Sequence, residues 1–188
     1  MKHKAAVVPS GTIREFCYLP DIIDIHPNSR EAGVLTVSAR GPSDKNCGII
    51  EECCKELGVP FFVAHDIPHE QLPEIYFRSK VFVQASTYEN MSRTVGEALC
   101  AGCRVVATEH NMGNEWYPGL VTINPIQQDS LKSAIVYALE SPDWNWMPNR
   151  TARRMTWRRT ASILLNLYTE CLQAFGNLEK MVGLILFI

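Results

Sequence analysis

Short apolar runs that alternate with helical patterns constrain this chain more than any other feature of its sequence. Five runs of four residues are rich in Val, Ile, Leu and Phe and lack a clean alternation with polar residues. Strands that are covered on both faces have this composition, and strands separated by helices form parallel sheets. We therefore predict an α/β domain, a doubly wound parallel sheet with helices on both faces. The runs are residues 34–37, 61–64, 81–84, 105–108 and 120–123, and residues 5–8 predict a short strand before them.

Helical patterns fill the segments between these runs. Gly102 follows the third helical pattern and Pro142 follows the fourth, and both residue types end helices. The predicted helices cover residues 48–57, 70–78, 92–101, 128–140 and about 156–172. The last helix carries an apolar stripe of Trp157, Ile163, Leu164, Leu167, Tyr168 and Cys171.

The formal net charge is −2 over 188 residues, which argues against a nucleic-acid-binding protein because such proteins carry a basic excess. The chain opens without a signal-peptide pattern, and no stretch reaches the roughly 20 apolar residues of a membrane-spanning helix. We therefore expect a cytoplasmic protein, with peripheral contact at a membrane surface left open.

Five arginines form a basic cluster near the last predicted helix: Arg150, Arg153, Arg154, Arg158 and Arg159. The favoured interpretation of this cluster is a solvated helix face, and the alternative is a surface that binds a membrane or a partner.

Seven cysteines form an odd set without the spacing of a disulfide framework, which favours reduced thiols. Cys100 and Cys103 have the C-x-x-C spacing of redox and zinc sites, but a zinc site needs a second pair of this kind. Buried structural cysteines at a helix end are the favoured interpretation, with redox or metal chemistry as the alternative.

The length suggests one domain. Residues 1–32 read as a linker and the start of the domain, 33–174 as the domain itself, and 175–188 as an apolar tail of unknown role. The tail is too short to span a membrane, and the sequence does not decide whether it packs on a partner or touches a membrane.

Charged residues follow two of the predicted strands at their carboxyl ends, where open parallel sheets bind ligands. Arg40 and Lys45 follow the run at 34–37 and suit a diphosphate, because an arginine binds it bidentately and a lysine adds a point charge. Glu89 and Glu97 follow the third run, and a helix with unpaired amides begins between them. Carboxylates accept hydrogen bonds from sugar hydroxyls. The pattern predicts a site for a diphosphate between two polyols, although each of these residues alone is more often an ordinary surface side chain.

Residues 97–108 read Glu-Ala-Leu-Cys-Ala-Gly-Cys-Arg-Val-Val-Ala-Thr, with Glu89 eight residues before their start. This stretch resembles the E-x7-E region of retaining glycosyltransferases with the GT-B fold, the group that includes glycogen synthases, sucrose synthases and lipid mannosyltransferases. Arg40 and Lys45 stand at the family's five-residue separation. The family usually has glycine where Asn90 and Ser92 stand. Further stretches that match in the same order are residues 35–46, 65–86 and 155–168.

The resemblance implies a role for each matching residue. Arg40 and Lys45 would neutralise the donor diphosphate and stabilise the leaving nucleoside diphosphate. Glu97 would hold the ribose and Glu89 would face the transferred sugar. At the helix start, contacts with sugar and phosphate are implied for Met91, Ser92, Arg93 and Thr94. In the loop after the second run, contacts with the nucleobase are implied for Asp66 and Ile67. His69, in the same loop, is expected to be solvated.

By this resemblance the chain is the C-terminal, donor-binding half of a GT-B fold, acting with retention as a hexosyltransferase. The donor would be a sugar linked to UDP, GDP or ADP, with no metal or other cofactor required. Residues 7–20 resemble the family's linker into the second domain, so an N-terminal acceptor domain or a separate acceptor-binding subunit is the expected partner. A non-catalytic nucleotide-sugar-binding or regulatory module is the main alternative, and a sugar-nucleotide epimerase is a weaker one.

Overall fold

A computed structural model describes residues 32–38, 45–117, 119–141 and 156–175 of the protein. Within these residues five strands form one sheet in the order β2-β1-β3-β4-β5, and every neighbouring pair is parallel. The predicted parallel sheet is therefore confirmed, whereas the strand predicted at residues 5–8 lies outside the described residues. The strands are β1 (Ala32–Val37), β2 (Phe61–Ala64), β3 (Ser79–Gln84), β4 (Arg104–Thr108) and β5 (Val121–Ile123).

The described helices lie mostly where the sequence predicts them. The bounds of α4 agree with the prediction, α1 begins one residue earlier, and α3 is shorter by one residue at each end. The last helix runs three residues further than expected. The helices are α1 (Cys47–Leu57), α2 (Leu72–Arg78), α3 (Arg93–Cys100), α4 (Gln128–Glu140) and α5 (Trp157–Phe175), with short 3₁₀ turns at His69–Gln71 and Asn114–Trp116.

Successive strand residues face two separate cores, one on each side of the sheet. Leu35 and Phe82 pack with α2 and α3, whereas Val34 and Val81, their neighbours in sequence, pack with α1 and α4. Side chains alternate between the faces of a strand, and here both faces are covered. This explains why the strands read as continuous apolar runs.

The start of α2 differs from the prediction, which placed a helix over residues 70–78. His69–Gln71 forms a 3₁₀ turn, and the α-helix begins only at Leu72. Pro73 explains the difference because it has no N–H with which to bond the carbonyl of His69, the α-helical acceptor four residues back. The amide of Leu72 bonds that carbonyl instead. The tighter turn fixes where His69 lies.

The end of α3 is the glycine stop that the sequence predicts. Gly102 has a left-handed φ of 85°, and its amide bonds the carbonyl of Leu99 while the amide of Cys103 bonds that of Ala98. Together these bonds make a Schellman motif. Cys100 and Cys103 are both buried here, and the Cys103 thiol donates to the carbonyl oxygen of Tyr76 across 3.2 Å. Both positions agree with the structural interpretation of the two cysteines.

The apolar stripe of α5 is largely exposed. Trp157 and Tyr168 are at least half exposed, Leu164 is 36% exposed, and Ile163 and Leu167 are only partly buried. Periodicity predicts which face of a helix is apolar but not what covers that face. Among the described helices none is both long enough and apolar enough to cross a membrane.

Candidate functional site

The sheet order produces a crevice at the carboxyl ends of β1 and β3. The chain passes from β1 to β2 on one side and later to β3 on the other, so the connections leaving β1 and β3 diverge. A cleft of about 410 Å³ opens at this edge. Nine of the ten predicted site residues line it, and the tenth, Arg40, lies outside the described residues. The nine are Lys45, Asp66, Ile67, Glu89, Met91, Ser92, Arg93, Thr94 and Glu97.

Glu97 is buried in this cleft, and both of its carboxylate oxygens have neighbours. The hydroxyl of Tyr76 donates to Oε2 across 3.3 Å, and Nε2 of His69 lies 3.2 Å from Oε1. Nη2 of Arg93, one turn earlier on α3, lies 3.9 Å from the same Oε1. The His69 side chain is 45% exposed, as expected of a solvated residue, but the 3₁₀ turn also brings its ring against the buried carboxylate, a contact that the sequence did not predict.

Tyr76 remains a hydrogen-bond donor to Glu97. Burial, reinforced by the Glu97 carboxylate, raises the pKa of Tyr76 well above its ordinary value. The hydroxyl therefore keeps its proton across the physiological range. The ring is fixed by packing, since its centroid lies 5.7 Å from that of Phe82 in the core.

Glu89 lies in different surroundings, beside a cation. Nζ of Lys45 lies 3.6 Å from Oε1 of Glu89, and both side chains are about three-quarters buried. Ser86 donates to the same oxygen across 3.1 Å, and Gln84 donates to the Ser86 hydroxyl across 3.0 Å. The ion pair thus brings together the two residues predicted to act on diphosphate and sugar, and a chain of hydrogen bonds from the end of β3 holds Glu89 in place.

The two residues directly before α1 have left-handed backbone. Lys45 and Asn46 have φ values of 55° and 57°. Such values are uncommon outside glycine, and asparagine is among the residues that tolerate them. The Asn46 amide donates to the carbonyl of Ala85 across 2.7 Å, which ties the start of α1 to the end of β3. Lys45 is thereby held at the cleft.

The start of α3 provides amides and hydroxyls at the cleft. The first helical bond runs from the amide of Gly96 to the carbonyl of Ser92, so the preceding amides have no acceptor within the helix. The hydroxyls of Ser92 and Thr94 lie 2.9 Å apart. Neither Asn90 nor Ser92 has a positive φ, so the backbone does not require the glycines that the resemblance leads one to expect.

Residues 109–117, which we call the clasp loop, hold the segment that carries Glu89 and Ser92. Oδ1 of Asn111 accepts a bond from the amide of Ser92 across 3.4 Å, and the Tyr117 hydroxyl donates to the carbonyl of Ser92 across 2.7 Å. The amide of Met112 donates to the carbonyl of Glu89 across 3.1 Å. Sequence reasoning missed these residues, although the clasp loop follows β4 at the same edge of the sheet.

Asp66 and Ile67 line the cleft after β2, opposite the start of α3. Asp66 has a left-handed φ of 54°, and its side chain is mostly exposed beside His65, whose Nε2 lies 3.1 Å from Oδ2. Nδ1 of His65 lies 3.1 Å from the carbonyl oxygen of Ser38. His65 thus supports the backbone at this position.

Within the described ranges, no group of three or more His, Cys, Asp or Glu side chains is arranged to hold a metal ion. The expectation that the site needs no metal stays a prediction.

Comparisons with known proteins agree with this architecture. The sequence profile of the family Glycosyl transferases group 1 matches residues 50–156. No curated protein matches the chain at a significant level.

Three solved structures illustrate the similarity of fold. A sucrose-phosphate synthase from Thermosynechococcus elongatus is 18% identical, with 89% of this chain and 52% of that chain covered and a TM-score of 0.63. An α,α-trehalose-phosphate synthase (UDP-forming) from Burkholderia vietnamiensis is 11% identical, with 79% and 46% covered and a TM-score of 0.59. A GtfA/B complex is 13% identical, with 75% and 37% covered and a TM-score of 0.56.

These identities establish the fold alone, and the chain spans about half the length of the first two structures. The family profile carries the assignment further because it covers more than half of the chain and includes the cleft residues from Ala64 to Glu97, although Lys45 lies before its start. The chain therefore belongs to the group 1 glycosyl transferases.

Proposed function

We propose that this chain binds a nucleotide-diphosphate sugar in the cleft and serves as the donor-binding domain of a retaining glycosyltransferase of the hexosyltransferase type. The observation that carries the proposal is the convergence of Lys45, Glu89, Glu97 and the start of α3 on one cleft of about 410 Å³. That cleft lies at the sheet edge where parallel α/β folds bind ligands. Membership of the family makes a sugar donor the natural ligand.

The diphosphate would lie between Lys45 and the start of α3. Unpaired amides and the positive end of the helix dipole favour a phosphate there. Lys45 adds a charge that is three-quarters buried and therefore only weakly screened by salt. Arg40, expected nearby from its position in the sequence, would add a second cation.

The two carboxylates would then hold the polyols on either side of the diphosphate. Glu97 would accept hydrogen bonds from the ribose, with the nucleobase near Asp66 and Ile67. Glu89 would face the sugar, and its ion pair with Lys45 would bring the cation beside the diphosphate oxygen that leaves. Negative charge accumulates on that oxygen as the glycosidic bond breaks, so Lys45 would stabilise the transition state more than the bound donor.

The acceptor would be bound outside this chain, by an N-terminal domain or a partner subunit. The chain spans about half the length of the first two solved structures, and another similar structure is itself a complex, GtfA/B. The retaining outcome rests on the family resemblance. The cytoplasmic location and contact with a membrane surface stay predictions.

Calorimetric titration with UDP, GDP and ADP, each beside its nucleoside, tests the donor site. UDP comes first because the similar trehalose-phosphate synthase is described as UDP-forming. One diphosphate should bind saturably, and Lys45→Ala should weaken it by about tenfold or more, the value of a charge-assisted hydrogen bond. The matching nucleoside should be much less affected.

Lys132→Ala is the matched control, because Lys132 pairs with Glu56 on the surface and does not line the cleft. Equal losses in the two lysine variants would contradict the phosphate role of Lys45. Absence of binding by the folded chain would overturn the proposal that it binds the nucleotide by itself. Binding without transfer when an acceptor domain is supplied would favour the non-catalytic module.

A further inference from the structure

We propose that His69 and Tyr76 are positioning residues that fix the Glu97 carboxylate so that it accepts from two adjacent hydroxyls at once, which makes the site select ribose over 2′-deoxyribose. This inference rests on the proposed function, because it assumes that a nucleoside diphosphate binds in the cleft. It goes beyond that function by naming the residues that set the sugar preference of the nucleotide.

The two residues hold Glu97 from different elements. Tyr76 lies on α2 and contacts Oε2 across 3.3 Å, and His69 lies on the preceding 3₁₀ turn and contacts Oε1 across 3.2 Å. One contact on each oxygen prevents the carboxylate from rotating about its last bond. Tyr76 is fully buried, so its contribution to this arrangement is rigid.

The number of acceptor positions that remain explains the selectivity. An ionised carboxylate offers about four lone-pair positions, two on each oxygen. With one position on each oxygen taken by Tyr76 and His69, each oxygen keeps a free position for a ligand. A vicinal diol carries two O–H donors with similar separation and can satisfy both, whereas a 2′-deoxyribose can satisfy only one.

His69 can position Glu97 in this way because it lines the cleft and also contacts the Glu97 carboxylate. Its side chain is 45% exposed and lines the cleft, while Nε2 contacts the buried oxygen. Since Glu97 is an acceptor, Nε2 carries the proton in the neutral ring. Arg93 lies farther from the same oxygen, at 3.9 Å, and is mostly exposed, so it adds charge without fixing the geometry.

The test measures the ratio of two dissociation constants, that of the 2′-deoxynucleoside diphosphate and that of the ribonucleoside diphosphate. The full chain is titrated with UDP and dUDP, or with the GDP or ADP pair if that base is the one bound. We expect a ratio of about ten in the unaltered protein, the value of one charge-assisted hydrogen bond. Glu97→Ala, which removes both acceptor oxygens, should bring the ratio close to one.

His69→Ala and Tyr76→Phe should each lower the ratio to about two or three, because the carboxylate regains rotational freedom that binding must remove. His69→Gln, which keeps an N–H donor, should give a ratio close to that of the unaltered protein. Tyr137→Phe is the matched control for Tyr76→Phe: Tyr137 lies on α4, is 62% exposed and does not line the cleft, so the ratio should stay unchanged. A merely structural role for His69 would weaken both nucleotides equally.

An unchanged ratio in folded His69→Ala and Tyr76→Phe variants, with the Lys45-dependent binding intact, would overturn this inference and leave the proposed function standing. Failure of every nucleoside diphosphate to bind would overturn both. Circular dichroism checks folding, and if Tyr76→Phe unfolds, the ratio in His69→Ala alone decides.

Discussion

The helices α3 and α5 both carry several apolar residues, yet those of α3 are buried and those of α5 are largely exposed. Six of the eight residues of α3, Val95 to Cys100, are buried between the sheet and its neighbours. On α5 the exposed side chains include Trp157, Leu165 and Tyr168. An apolar helix face in the sequence indicates a surface that is more stable when it is buried. The sheet and the adjacent helices determine whether that surface is in fact buried.

The two helices also differ in how their ends are held. The start of α3 is bonded to the clasp loop through Ser92, and its end is closed by the turn at Gly102. The helix that presents its first amides to the cleft is therefore fixed along its whole length. Five substitutions, one of them a control, test this contrast, beginning with the one expected to have the largest effect.

Leu99→Ala should lower the free energy of unfolding by about 2–5 kcal/mol, because it removes a leucine side chain from a closely packed core. Leu99 is 1% exposed and belongs to the core between α2, α3 and the sheet. Urea denaturation followed by circular dichroism measures the change. A loss below about 1 kcal/mol would mean that α3 is packed less tightly than its burial implies.

Gly113→Ala should destabilise by about 1–3 kcal/mol, the usual cost of forcing an atom into a packed site. A Cβ atom there would lie 2.9 Å from Cγ and 3.1 Å from Cα of Met91, so the clasp loop would be pushed away from the segment before α3. Nucleotide binding should weaken as well.

Gly48→Ala is the control for that change, since a Cβ atom at this position in α1 meets nothing within 4 Å. It should stabilise the protein by up to about 1 kcal/mol, because alanine has a higher helix propensity than glycine and leaves the unfolded chain less conformational freedom. Similar melting temperatures for the two glycine variants would contradict the close approach at Gly113.

Tyr117→Phe should cost about 1 kcal/mol, the net value of one buried hydrogen bond. The hydroxyl donates to the Ser92 carbonyl, and burial raises the pKa of Tyr117 above its ordinary value, so the donor is protonated at any physiological pH. The cost, measured by denaturation, should therefore be the same at pH 6 and pH 8. A loss that depends on pH over this range would point to a different group.

Leu165→Ala should change the free energy of unfolding by no more than about 0.5 kcal/mol, as is usual for exposed positions. It is the same chemical change as Leu99→Ala, made on a side chain that is 66% exposed. Equal denaturation midpoints for Leu165→Ala and the parent protein would support the contrast between the helices. A loss of several kcal/mol would show that this face of α5 is covered in solution.

Much of the fold was predictable because its pattern is local. The runs at 61–64 and 81–84 lie within the observed β2 and β3, and the bounds of α4 were predicted to the residue. The start of α2 was less predictable, because the effect of Pro73 on the preceding turn depends on which backbone amide donates a hydrogen bond to the carbonyl of His69. For the site, reading the residues after each strand led to Lys45, Glu89 and Glu97.

The partners of those residues were not predictable in the same way. Tyr76 and His69 lie 21 and 28 positions before Glu97, and Asn111 lies 19 positions after Ser92. Such contacts depend on how the crossovers return each strand to the sheet. No local periodicity contains that information.

The sequence by itself determined the parallel α/β architecture, the edge of the sheet that carries the charged residues and the identity of most cleft residues. These follow from burial on both strand faces and from the direction shared by parallel strands. Only the tertiary structure decided that Glu97 is fixed by Tyr76 and His69, that Lys45 pairs with Glu89, that the clasp loop holds the start of α3, and that the apolar face of α5 is left exposed. The reason is that these features depend on distances between segments far apart in the chain, which are set when the sheet and its two helical layers pack together.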